Sequence, residues 1–293
     1  MTIFLQQIVI GVSIGSIYAL IASGYALVYS LLNFSNWAHG EVCMLGAYCC
    51  LTAVKVAGFP FWLSCLLGVG GAVLISLFNE RIAYRRIRSN GSPNMFLMIA
   101  AMGLSTTYQN LATVAFWNGK FMPMPKVFPV MPLNIAGVNI GYTDLLCLAL
   151  TAIVLAALLL LINKTRFGLH VRAVACSGRT SRILGLRIDR IIALVFMLSG
   201  ALAGLAGILY GMKYNVYPTM GNVGLKAFVA SVIGGLGSVP GAIVGAILLG
   251  LIETLASAYI SSGLRDLISF SLLILILLVR PAGLMGVDVQ DKA

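Results

Sequence analysis

Apolar residues fill long blocks of this chain, and the polar residues gather in a few short breaks between them. Blocks of this length predict helices that cross a bilayer, whereas a membrane barrel would show alternating segments of about ten residues. The first block covers about 8–30, where Gly11, Gly15, Ala19 and Ser23 recur every four positions and predict a close helix contact in lipid. The polar break NFSNWAHGE at 33–41 leads into a second block from near Gly40 to Val56, and Pro60 marks the turn into a third that ends near Glu80. A fourth block, about 95–117, carries Ser105, Thr106, Thr107, Gln109 and Asn110. Such a patch is expected to bond across helices or to face a cavity, because an unsatisfied polar group in hydrocarbon is costly.

Residues 118–140 contain Pro123, Pro125, Pro129 and Pro132 and do not predict one regular helix; they are expected on the outer side. The fifth and sixth blocks, about 141–162 and 191–212, flank the longest polar stretch, KTRFGLHVRAVACSGRTSRILGLRIDR at 164–190. It carries seven basic residues and one acid, Asp189, and apolar positions among its charges predict a short helix beside the membrane. In the sixth block Ser199, Ala203, Gly207 and Gly211 form one small-residue stripe, with Gly200 and Gly204 in a second. Further on, 226–239 is apolar but short, and a run after Pro240 reaches Ala256. A broken or re-entrant helix followed by a full span is one reading, two short spans another. The last block, about 264–279, stops at Arg280 and Pro281, which gives eight or nine crossings of an all-α polytopic membrane protein.

Composition agrees with that class. The 293 residues are 60% hydrophobic and 9% charged, with a mean hydropathy of +1.01, against about 25% charged in soluble domains. The net charge of +11 is concentrated in 81–88 and 164–190, where it sets both segments on the cytoplasmic side rather than pointing to nucleic acid. By that count the N-terminus lies outside, and MTIFLQQIVIGV reads as a retained span, not a cleaved signal peptide. The six cysteines lack metal or disulfide spacing and read as small apolar filling.

Chemistry-bearing residues are few. His39 and Glu41 sit at a predicted helix start, as pathway or gating residues or as a helix-start acid favoured by the dipole. Glu253, in a late span, is expected to pair with a base from another helix or loop. No catalytic set, metal cluster, cofactor motif or phosphate-binding GxxxxGK[ST] is present, so energy from ATP would enter through a partner.

Several stretches carry a family resemblance: GSIYALIASGYALVY at 15–29, NFSNWAHGE, GLHVRAVA at 168–175, ALAGLAGILYG at 201–211, FVASVIGGLGSVPGAIVGAILLGLIE at 228–253 and RPAGLMG at 280–286. Together they resemble the LivH-type permease of branched-chain amino acid ABC transporters. The resemblance implies an ABC importer permease fold, with 1–293 as one transmembrane domain in a bacterial inner membrane. It implies as partners a second, LivM-like permease, two cytoplasmic ATPase subunits and a periplasmic solute-binding protein, with a small neutral solute as cargo. Through it, 164–190 becomes the loop that couples to an ATPase, with Gly168, Arg172, Ala173, Arg182 and Gly185 as its key positions. Within that loop the sequence departs from the family's QDPEAAR: it reads Cys176 to Arg182, and Arg179 stands where the family has glutamate. Trp37 and Ser35 are a second departure. Branched-chain or other amino acids are the expected cargo, with urea or short amides behind them. A stand-alone secondary carrier and a purely structural membrane subunit are the competing classes.

Overall fold

The computed structural model describes residues 2–125, 133–135 and 138–286. The apolar blocks form helices α1 (Thr2–Leu32), α2 (His39–Lys55) and α3 (Phe61–Phe78). A π-helical turn, Asn79–Tyr84, carries α3 directly into the short α4 (Arg85–Ser89), so the helix expected to end near Glu80 runs on through the first basic block. Next come α5 (Asn94–Ala115), a hairpin of β1 (Leu133–Ile135) and β2 (Val138–Ile140), and α6 (Tyr142–Lys164). The hairpin is antiparallel, with Leu133 opposite Ile140. The prolines Pro129 and Pro132 fall outside the described residues.

The polar stretch folds as two short helices, α7 (Arg166–Cys176) and α8 (Gly178–Ile183). Each begins on a hydroxyl residue that satisfies an orphan amide: Thr165 Oγ1 accepts from Gly168 N at 3.3 Å, and Ser177 Oγ accepts from Thr180 N at 3.2 Å. Then follow α9 (Ile188–Lys213), a 3-10 turn (Pro218–Asn222), α10 (Val223–Gly234), α11 (Val239–Tyr259) and α12 (Arg265–Val279). Ser238 caps α11 by accepting from Gly241 N at 3.2 Å, and Pro240 occupies its first turn, where a missing N–H costs nothing.

Among the described residues six helical stretches are long and apolar enough to cross a membrane: 3–32, 61–89, 142–164, 188–213, 239–259 and 262–279. The 17 residues of α2 and the 12 of α10 fall short of that length, and the polar patch of α5 lowers its apolarity.

At the centre, α9 packs against α1, α2 and α3, and α1 runs along α11. Small residues make these contacts possible: a Cβ on Gly15 would lie 2.9 Å from the Ile247 Cα, and one on Gly204 2.6 Å from the Ala72 Cβ. The small-residue positions of the first and sixth apolar blocks thus meet neighbouring helices. The stretch RPAGLMG folds back onto the end of α10, where Leu284 N donates to Ile233 O and Met285 N to Gly234 O, both at 2.9 Å.

The ends of α9, 26 residues or about 39 Å apart, define the two ends of the molecule. At the first, Asp189 meets Arg85 and Arg88. At the other, Lys213 pairs with Asp144 and donates to Ser13 Oγ at 3.0 Å, while Met122 and Val216 form an isolated antiparallel bridge.

Candidate functional site

Between these ends α10 begins in mid-fold. Its first residues pack on the start of α2: a Cβ on Gly40 would lie 3.0 Å from the Gly224 Cα, so two backbones touch where side chains would have held them apart. Beside this contact lies a cavity of about 100 Å³, room for several waters or a small solute by the usual measure. Tyr25 of α1, Ser35 and Trp37 of the 33–38 loop, Glu41 of α2 and Ser105 of α5 form one side. The other side is Gly221 and Asn222 of the 3-10 turn with Leu225 and Phe228 of α10. Trp37 and Phe228 lie with ring centroids 5.8 Å apart, and Tyr25 and Phe228 are spaced the same.

Glu41 is the chemical centre of this cavity. It is 4% exposed, and Ser105 Oγ donates to its Oε1 at 3.3 Å, but its Oε2 has no hydrogen-bond partner. The buried Trp37 Nε1 also lacks one. The other carboxylates among the described residues all have bases: Glu80 has Arg88, Asp144 has Lys213, Asp189 has Arg85 and Arg88, Glu253 has Lys226 and Arg265, and Asp266 has Lys226. Glu41 has none. Its place in the first turn of α2 brings about 0.3–2 kcal/mol from the helix dipole, and the Ser105 bond about 1.5–3 kcal/mol. Burying a charge costs several kcal/mol after relaxation, so these two offset only part of it.

His39 is not among the residues that line this cavity. One ring nitrogen lies 3.2 Å from Ile21 O and the other 3.3 Å from Ser199 Oγ, whose single hydrogen is shared between that nitrogen and Gly24 O at 3.2 Å. It therefore ties α2 to α1 and α9. Glu253 lies apart from the cavity lining. It accepts from Tyr18, from Arg265 Nε at 2.8 Å and from Ser269 at 2.7 Å, and Lys226 Nζ stands 3.1 Å away. This buried network binds α1, α10, α11 and α12.

The five coupling positions expected from sequence do collect at one end. Gly168, Arg172 and Ala173 lie in α7, Arg182 in α8, and Gly185 in the turn after it with φ +80°. Val171 and Val174 face inward while Arg172 faces out. Beyond them Ile183 and Leu184 are 81% and 74% exposed, beside exposed Arg179 and Arg182. Sequence reading missed the opposite wall of the cavity, Gly221 to Phe228. The signal was present in Pro218, Gly221 and Gly224, which break the chain just before a run too short to span.

A bundle of long apolar helices with a cavity beside the short α10, and a basic, partly apolar segment at one end, has the form of a membrane permease. Among solved structures, PsaBC from Streptococcus pneumoniae in complex with Fab is similar over 95% of this chain and 92% of that one, with a TM-score of 0.51 at 12% identity, a likeness of fold. Residues 7–277 match the family described as branched-chain amino acid transport system / permease component, and the chain belongs to that family. It is 38% identical to the high-affinity branched-chain amino acid transport system permease protein LivH of Escherichia coli (strain K12), covering 99% of this chain and 97% of the relative. It is 37% identical to the corresponding permease protein BraD of Pseudomonas aeruginosa, covering 99% and 98%. The chain is thus a non-catalytic permease subunit of an ABC importer in the inner membrane, and ATP hydrolysis lies in separate subunits.

Proposed function

We propose that this permease passes branched-chain or other amino acids, and that 164–190 is its seat on an ATPase subunit. The observation that carries the coupling assignment is the exposure of the segment: Ile183 and Leu184 are bare, and Arg172, Arg179 and Arg182 of the same segment are exposed too. Apolar side chains at that exposure favour a protein groove over water, and the basic rim fits one lined with acids. Arg179, in place of the family glutamate, calls for an ATPase groove with a compensating acid.

The other partners are a LivM-like second permease, a second ATPase subunit and a solute-binding protein that delivers the cargo from outside. Nine passages fit the contacts best. The polar interruption between α4 and α5 and the α7–α8 segment share one end, cytoplasmic by their charge. The Tyr84–Asn36 hydrogen bond near that same end supports an α1 that finishes there, and with it an N-terminus outside. The segment 214–234 then makes one broken passage, and α12 returns the C-terminus to the cytoplasm. Nucleotide binding would draw the ATPases together and shift α6 and α9 through α7 and α8, moving the cavity between outward and inward access by population shift.

Reversing charge with Arg172→Glu and Arg182→Glu in the assembled transporter tests the coupling assignment. ATPase co-purification and ATP-dependent leucine uptake should both fall about tenfold or more, as expected when charged interface contacts are reversed. Wild-type values for both would refute it.

A further inference from the structure

We infer that Glu41 is the receptor for the ammonium group of the transported solute, so that the cavity recognises an amino acid as a zwitterion and not as a neutral amide. This rests on the importer reading above and adds the site and chemistry of recognition.

Three observations converge. Glu41 is the carboxylate among the described residues that no base accompanies, although five others each have one. Its free oxygen belongs to a residue that lines a cavity rather than packed core. Trp37, another residue of that lining, carries a buried indole N–H that is a donor without an acceptor. An acceptor that needs a cation and a donor that needs an acceptor, set on one small cavity, match the two poles of an α-amino acid. Tyr25, Leu225 and Phe228 supply an apolar wall for an aliphatic side chain. Urea offers no cation for Glu41. A simple amine would leave the Trp37 donor unmatched.

The Gly221 and Gly224 backbones bring this wall close to α2. A Cβ at Gly221 would fall on the carboxyl group of Glu41, so glycine there is what lets the carboxyl lie against the turn before α10.

The test uses the assembled transporter carrying Ser35→Cys, in a Cys176→Ser background that removes the exposed thiol. A thiol reagent modifies position 35 on the cavity wall, and mass spectrometry of that peptide reads the rate. Leucine should slow modification about tenfold at saturation, the effect of losing access behind a charge-assisted contact. 4-Methylpentanoate, the same skeleton without the ammonium, should leave the rate nearly unchanged, and Glu41→Gln should abolish protection by leucine. Equal protection by both compounds, protection that survives Glu41→Gln, or no modification at position 35 would each overturn the inference. The two-ligand comparison needs no substitution at Glu41 and so stands even if that variant fails to fold. Failure of the importer reading shows separately, as absence of ATP-dependent leucine uptake by the unsubstituted complex.

Discussion

Arg88 and Asp189, 101 residues apart in the chain, are joined at 2.8 Å, and the same guanidinium nitrogen lies 3.1 Å from Glu80. The two basic segments of the sequence are thereby fastened to each other at one end of the molecule. The two carboxylates of this pair differ in kind. Asp189 is 51% exposed, whereas Glu80 is 1% exposed. Asp189→Asn is expected to change stability by about 0–1 kcal/mol, the usual worth of a solvated pair. Arg88→Ala, which strands the buried Glu80, should cost about 3–5 kcal/mol. Thermal unfolding of the purified complex measures both. Equal shifts would contradict the distinction.

Glu253 and Glu41 make a second contrast. Both are buried acids, but Glu253 is ringed by Lys226, Arg265, Tyr18 and Ser269. Glu253→Gln should destabilise by about 3–5 kcal/mol because it leaves Lys226 and Arg265 undercompensated. Glu41→Gln removes a charge that has no partner and should leave stability unchanged or raise it. A melting temperature that drops as far for Glu41→Gln as for Glu253→Gln would show that Glu41 has an ionic partner in the assembled protein.

Gly168→Ala should damage coupling. Its Cβ would lie 2.6 Å from the Ile162 Cα, and main chain cannot move aside as a flexible side chain can. The bend between α6 and α7 would have to open, at about 1–3 kcal/mol by the cost of overpacking. ATPase co-purification and leucine uptake are expected to fall together, and wild-type behaviour in both would show that the bend has slack.

Cys176 is exposed at the end of α7 while Cys43, Cys50 and Cys147 are buried. A membrane-impermeant maleimide should modify it in inside-out vesicles lacking the ATPase subunits and leave it intact in right-side-out vesicles. The reverse pattern would invert the whole topology and remove the coupling assignment with it.

Much of the helical layout was legible from the order of apolar blocks, because bilayer length and turn residues are local properties. The second block, expected from near Gly40 to Val56, is α2 at His39–Lys55, and the last, expected at 264–279, is α12 at Arg265–Val279. The stretch after Glu80 reads differently. The third block was expected to end near Glu80, with the basic 81–88 between helices, but the helix continues through a π turn to Ser89, held by the ion pairs to Glu80 and Asp189. Those partners are distant in sequence and cannot be seen in a local window.

The same limit applies to the cavity. Glu41 and Trp37 stood out as unusual residues in a polar break, but what distinguishes Glu41 is a missing partner, and that emerges only when each base is matched to its acid in three dimensions. Ser105 was visible as part of a polar patch, and its facing Glu41 was not. Phe228 looked like any apolar residue of a short block.

Gly221, lying against the Glu41 carboxyl, gives the cavity one patch of bare peptide. A patch without a side chain cannot be reshaped by exchanging one. Adaptation to larger or smaller cargo must fall on the side chains around it, at Tyr25, Trp37, Leu225 and Phe228, while the geometry that presents the charge stays fixed.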